Sequence, residues 1–463
     1  MPREHSVPRK ARDGGEHSNW LGRALWLLKE TYRTSLKWIF LPLLGALLST
    51  FLIGRIVTGI SGPALYKIYV VGDFGRPAAQ SIFQAFRNQH LELGGVTLKV
   101  DPQDDHGDPD QAKRIAAKLA HGKDTLLVIG HINGSQTKLA LPSYLGAKPP
   151  VPVILAVETT PNLAPPKVGR STYDPIFRLS PTDDRQARSI VLFIKNAKKE
   201  PAVWVVVDTD NAVYSNYLAS TFVRTAQREQ MKIVLWSTNM SPPTAQAIHD
   251  LHINWVFFAG RRENALILIH QLRAMDGLDP LPNVMLSDSS ANQDLIERDK
   301  EGVEGVYVAS QVTADQYNKE VGIQRPDGGQ SVASVNYNKN AGYNIYGARA
   351  LKVVQLLLER ASDPSNLEQV AHTAGWAYRA RRLLRIQRVQ DARTILAVAM
   401  EAAQYRGEPF ILDDGTKITF DVDRTGEYGE AGEDGIRSDD DATFHIWQVK
   451  DGIFVDVSEP HDS

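Results

Sequence analysis

The 463-residue sequence contains no cysteine. Disulfides, thiolate catalysis, cysteine-ligated zinc and a lipid-modified N-terminal cysteine are therefore all excluded. A domain outside the cytoplasm must then rely on core size for its stability, and this chain is long enough for that. Net charge is scarce too. The 52 Lys and Arg against 54 Asp and Glu leave −2 at pH 7, so no whole-molecule field recruits nucleic acid. Catalytic signatures are equally missing. The twelve His are scattered without H-E-x-x-H spacing, and neither a P-loop nor a G-x-S-x-G elbow occurs. Gly72–Gly75 lacks the third glycine of a dinucleotide fingerprint. Asp104, His106, Asp108 and Asp110 alternate like metal ligands, but no bidentate acid closes a calcium loop there or at Asp421–Gly432. Both stretches read as turns. The expectation is a protein that is not an enzyme and carries no cofactor or metal.

What is present begins with one long apolar run. Trp38–Gly54 spans seventeen residues without a charge, and the apolar character resumes after Arg55 to about Ile60. That length suits a single membrane-spanning helix, with Arg55 snorkelling to the far interface. Arg3, Arg9, Lys10, Arg12, Arg23, Lys29, Arg33 and Lys37 outnumber the acids before it, which orients the N-terminus toward the cytoplasm. The expected order is a basic cytoplasmic tail (1–37), an anchor in the lipid bilayer (38–60), and a periplasmic or extracellular remainder. A cleaved signal peptide is the other reading of the same run. The long polar leader and the missing A-x-A site stand against it.

From Tyr66 strands and helices alternate. Lys67–Gly72, Val96–Val100, Thr125–Ile129 and Val151–Val157 are short Val-, Leu- and Ile-rich runs, as buried parallel strands require. Helices are expected at Ala78–Gln89, at Pro109–His121 with Pro in its first turn, and at Ser135–Tyr144. The pattern restarts after a Pro-punctuated connector, Ser171–Asp184, with strands at 204–207, 233–236, 255–259, 284–286 and 306–309. Two doubly wound α/β lobes follow, with a cleft between them that closes by a hinge. The loops Gly130–Thr137 and Val157–Pro161 leave neighbouring strands at the edge where such sheets bind ligands, and unpaired N–H groups there favour an anion. Ser135 or Thr137 capping its own helix explains the same residues as well. Further on, Tyr378–Arg393 is a basic, amphipathic stretch, read as a solvated face, a partner surface or a contact with anionic headgroups. Gly426–Asp441 is acidic, Gly-rich and aperiodic, and reads as a surface insertion.

Six pieces in order resemble a known family: Asp104–Leu119, Val128–His131 with its polar loop, Val153–Pro161, Phe177–Asp183 with Gln186, Ile418–Asp421, and Ile446–Gly452. The chain from about 67 to 457 resembles the type I periplasmic solute-binding fold, in its branched-chain amino-acid-binding branch. That resemblance implies lobe 1 at 67–180 plus 312–417, lobe 2 at 181–311 plus 418–458, and a three-segment hinge. It also implies a ligand carboxylate held by first-lobe loops, here Gly134, Ser135, Thr137, Val157 and Thr159. Asp288 in the second lobe would meet the ligand ammonium, and Tyr214 would cover it. Two departures stand out: the loop Gly72–Pro77 is short and lacks its aromatic, and Arg261 replaces an aromatic, which would favour a second anionic group on the ligand. The expected function is capture of a small amino acid or related carboxylate for ABC-type transport or sensing, with a permease or sensor as membrane partner. The alternative is a signalling or assembly ectodomain that has lost the amino-acid ligand and works through protein contacts.

Overall fold

The computed structural model describes Arg23, Trp26 and Lys29 and residues 66–458, without 95, 162, 164–174, 198–199, 239, 322–342, 363–388, 407–408, 413–416 and 419–443. The chain divides into two compact units, 1–63 and 64–463, and the second carries the architecture. The expected anchor at 38–60, the arginine-rich stretch up to residue 388 and the acidic insertion at 426–441 lie outside the described residues. Among the described residues no helix is long and apolar enough to cross a membrane.

The first sheet is built from β1 (Tyr66–Gly72), α1 (Pro77–Arg87), β2 (Glu92–Leu93), β3 (Val96–Asp104), α2 (Pro109–Ala120), β4 (Thr125–Ile129), α3 (Gly134–Gly146), β5 (Val153–Leu155) and β6 (Ile176–Arg178). Its strand order is β2-β3-β1-β4-β5-β6, parallel except for the β2–β3 pair. All five β4 residues are buried, as a strand covered on both faces demands. Ile68 and Val70 of β1 point to one layer, with Ile82 and Phe86 of α1. Tyr69 and Val71 point to the other, with Ile115 and Leu119 of α2 and Tyr144 of α3. Asp108 starts α2, its carboxylate accepting the N–H groups of Asp110 and Gln111, with Pro109 at the first position. The alternating acids there are turn and cap residues: Asp104 Oδ1 accepts from Phe74 N and His106 N.

The second sheet follows from α4 (Asp183–Ala197), β7 (Ala202–Val207), α5 (Ala212–Arg228), β8 (Lys232–Ser237), α6 (Ala245–Asp250), β9 (Trp255–Ala259), α7 (Arg262–Arg273), β10 (Asn283–Leu286), α8 (Gln293–Arg298), β11 (Tyr307–Ser310) and α9 (Ala314–Val321). The chain then adds α10 (Asn344–Ser362) and α11 (Val389–Arg406) to the first sheet's core, and a two-stranded ribbon, β12 (Phe410–Ile411) and β13 (Lys417–Ile418). It ends in β14 (His445–Lys450) and β15 (Ile453–Asp456). The order is β15-β14-β11-β10-β9-β7-β8, with β14 and β15 antiparallel.

Four differences from the sequence expectation have physical causes. The connector 171–184 contains β6, which has three residues, too few for a pattern to register, and whose place comes from pairing with β5. It also leads into α4, a helix the sequence reading did not place. The segment 418–458, expected whole in lobe 2, divides: Ile418 packs into the first sheet's core, whereas β14 and β15 extend the second sheet. Residues 312–317, expected in lobe 1, pack with the second sheet. Trp447 donates its indole N–H to Val312 O at 3.1 Å, and its ring lies 5.0 Å from Tyr317 and 4.9 Å from Phe454. Each such aromatic pair contributes about 0.5–1.5 kcal/mol beyond burial.

Arg393 is the fourth. It is not part of a solvated face but 2% exposed. Its guanidinium donates to the carbonyls of Thr125 (2.5 Å), Ala120 (3.2 Å), Leu119 (3.4 Å) and Gly122 (2.9 Å). These carbonyls lie at the end of α2, in the turn after it and at the start of β4, so a positive charge here sits at a helix C-terminus.

Candidate functional site

The ends of β1, β4 and β5 on one side face those of β7, β9 and β10 on the other, across a cleft of about 150 Å³. A cavity of that volume holds a molecule of about the size of benzene. Gly134, Val157 and Thr159 line it from the first sheet, and Tyr214, Arg261 and Asp288 from the second. The structure thus brings together six of the eight residues singled out in the sequence. Ser135 and Thr137 do not line the cleft. Thr137 is buried behind it and donates to Asn133 O at 3.0 Å, the local role of a helix-start threonine.

On the first wall, Gly130 has φ 126°, in the left-handed region, and a Cβ there would collide with the Val71 carbonyl. That turn brings the chain down to Gly134, where a Cβ would meet Thr160 Oγ1 at 2.9 Å and Glu158 Oε1 at 3.4 Å. Behind the loop, buried His131 is held between Asp105 (2.7 Å) and the Tyr144 hydroxyl (3.3 Å). The reading of the sequence named Val157 and Thr159 and passed over Glu158 between them. Glu158 is 3% exposed and lines the cleft. Its Oε1 accepts the Thr160 N–H at 2.8 Å, and the Thr137 hydroxyl lies 3.5 Å from Oε2. Burial pushes its pKa up to about 7; Arg178 and the Thr160 hydrogen bonds pull the other way, and Asp288 adds a smaller push. Arg178 Nη1 itself donates to the Glu158 backbone carbonyl at 3.0 Å.

On the second wall, both Asp288 oxygens are positioned. Oδ1 accepts from the Tyr214 hydroxyl at 2.6 Å and Oδ2 from Gln311 Nε2 at 2.8 Å. Tyr214 therefore serves Asp288 directly, and burial with the Asp288 charge pushes the Tyr214 pKa well up. Asp183 is fully buried, and its carboxylate has at most the Thr159 hydroxyl beside it. Burial first, then Asp288, hold its pKa well above the usual carboxylate range.

Arg261 lines the cleft but is already engaged. Its backbone N–H donates to Asp208 Oδ2 at 2.9 Å, its Nε lies 3.4 Å from the same oxygen, and its guanidinium also pairs with Asp210. The expectation of an arginine waiting for a second ligand anion is corrected by these partners. Both acids follow β7, so only the fold reveals the pairing. Tyr343 and Tyr346, also missed, add two rings to the lining, 6.2 Å apart. They lie in an aperiodic stretch ahead of α10, where nothing local marks a site.

The family model described as periplasmic binding protein matches residues 58–324. An amino acid binding protein of Pseudomonas aeruginosa is 29% identical over 164 residues, 35% of this chain and 41% of that protein. The match thus spans less than half of that curated relative. Among solved structures, a leucine binding protein LivK from Thermotoga maritima superposes with a TM-score of 0.59 at 18% identity, covering 85% of this chain and 97% of its own. A Rhodopseudomonas palustris solute binding protein in complex with p-hydroxybenzoic acid gives 0.57 at 14% identity, covering 85% and 95%. A Desulfitobacterium hafniense ABC transporter substrate-binding protein in complex with Leu gives 0.54 at 17% identity, covering 85% and 99%. At these identities the superpositions speak to the fold.

Proposed function

We propose that this chain, which belongs to the periplasmic binding protein family, captures a small amine-bearing solute in the cleft between its two lobes. Asp288 carries the reading. Its carboxylate lines the cleft with both oxygens fixed by Tyr214 and Gln311, and no cationic side chain among the described residues pairs with it. A fixed carboxylate at the mouth of a cavity is a counter-charge for something that arrives. Relatives described as amino acid and leucine binding proteins support the solute class. The work is binding rather than catalysis, and lobe closure delivers the solute to an ABC-type permease or reports it to a sensor. Residues 38–60 anchor the chain, with the cleft on the outer side of the membrane.

The test is thermal stability of the full chain in detergent against a panel of amines, amino acids and small carboxylates. A solute at a hundred times its Kd adds about 2.7 kcal/mol. A midpoint unmoved by the whole panel would defeat the capture reading.

A further inference from the structure

The ionic partners around the cleft leave a consistent remainder. Three arginines line it, and each is matched by an acid of this chain. Arg76 meets Asp73 at 3.1 Å, Arg261 meets Asp208 and Asp210, and Arg262 meets Glu263 at 2.7 Å and Asp294 at 3.0 Å. Asp288 pairs with no cationic side chain among the described residues, and on the opposite wall Glu158 feels the Arg178 charge but receives its guanidinium at the backbone carbonyl, not at the carboxylate.

One donor beside the first wall is also taken by this chain. A ligand carboxylate would need the N–H groups and hydroxyls of the loops after β4 and β5. Glu158 already accepts the Thr160 N–H at 2.8 Å and approaches the Thr137 hydroxyl. An internal carboxylate thus stands on this wall, between Val157 and Thr159, beside the residues expected to hold a ligand carboxylate. Two observations independent of the acids point the same way. Gln311 is 5% exposed and lines the cleft; its Nε2 is spent on Asp288, and its Oε1, an acceptor, has no partner. Tyr214, Tyr343 and Tyr346 also line the cleft, and faces of aromatic rings attract cations. Acceptors and rings suit a donor-rich cation, whereas a carboxylate needs donors.

We propose that the cleft selects an organic ammonium cation with no carboxylate of its own, with Glu158 and Asp288 as counter-charges on its two walls. This rests on the solute-capture reading and narrows it. Three probes with a shared branched skeleton separate the chemistries: 3-methylbutylamine, leucine and 4-methylpentanoate. Each is titrated into the full chain and followed by calorimetry and melting midpoint. The amine should bind at least as tightly as leucine, and 4-methylpentanoate should leave the midpoint unchanged at millimolar concentration. Glu158→Gln, which keeps the shape and the Thr160 hydrogen bond, should weaken the amine at least tenfold without lowering the empty protein's midpoint. Tighter binding of leucine than of the amine by tenfold or more, or any binding of 4-methylpentanoate, would overturn the proposal while leaving solute capture intact. An unchanged amine affinity in Glu158→Gln would overturn it as well. Silence from all three probes overturns the cation proposal, and silence from the wider panel overturns capture too.

Discussion

Glu158→Gln should stabilise the empty protein, by an amount that grows above pH 4.5 and is complete above neutral pH. The carboxyl is buried, and its pKa rises from 4.5 in the unfolded chain to about 7 in the fold. The folded state therefore holds the proton more tightly than the unfolded one, so ionising Glu158 costs stability. Below pH 4.5 both states are protonated and there is no cost. Between 4.5 and 7 the cost accumulates, and above 7 it is complete. At about 1.36 kcal/mol per pH unit the total is about 3 kcal/mol. Gln removes the charge and keeps an acceptor for the Thr160 N–H. It also relieves Asp183, whose pKa Glu158 helps to raise. With an unfolding entropy near 2.1 cal/mol/K per residue over the unit 64–463, about 3 kcal/mol corresponds to a midpoint rise of about 4 °C. Scanning calorimetry of wild type and variant at pH 8 and pH 4.5 reads it. A lower midpoint at pH 8, or an equal gain at both pH values, would refute the reasoning. A residue that destabilises the empty protein and strengthens capture is the trade expected of a binding site.

Three further outcomes are expected. Asp288→Asn keeps the shape and removes the second-wall charge, so an amine ligand should weaken by about 2 kcal/mol or more, roughly 30-fold, in titration calorimetry; undiminished affinity would remove Asp288 from the site. Arg393→Met removes a buried donor shared by four carbonyls and should cost about 3 kcal/mol in denaturant unfolding, where a surface arginine would give nearly nothing. Protease added to intact cells with only the outer layer permeabilised should digest the large unit and spare an N-terminal fragment containing residues 1–37, whereas mature protein starting after Ile60 would show cleavage instead.

The elements legible in the sequence are those whose own residues carry the signal. β4 and β9 were read at their observed bounds because every residue in each is buried, leaving unbroken apolar runs. Asp288, Thr159 and Tyr214, singled out because a family pattern marks strand ends and helix starts, line the cleft. What escaped depends on partners far away in the chain. β6 is a strand because β5 lies beside it, and Arg393 is buried because carbonyls about 270 residues earlier face it. Arg261 illustrates the limit most sharply. Its charge suggested an anionic ligand as long as its neighbours were unknown, and the fold answers that charge with Asp208 and Asp210. Glu158 carries the converse lesson. A lone acid after a buried strand carries no local signal, and only the assembled fold shows it in the cleft wall, accepting the Thr160 N–H. Cleft specificity is set by which charges remain after internal pairing, and that remainder is a property of the assembled walls rather than of any motif. In this protein it is negative, and it is the remainder rather than the family pattern that predicts a cation.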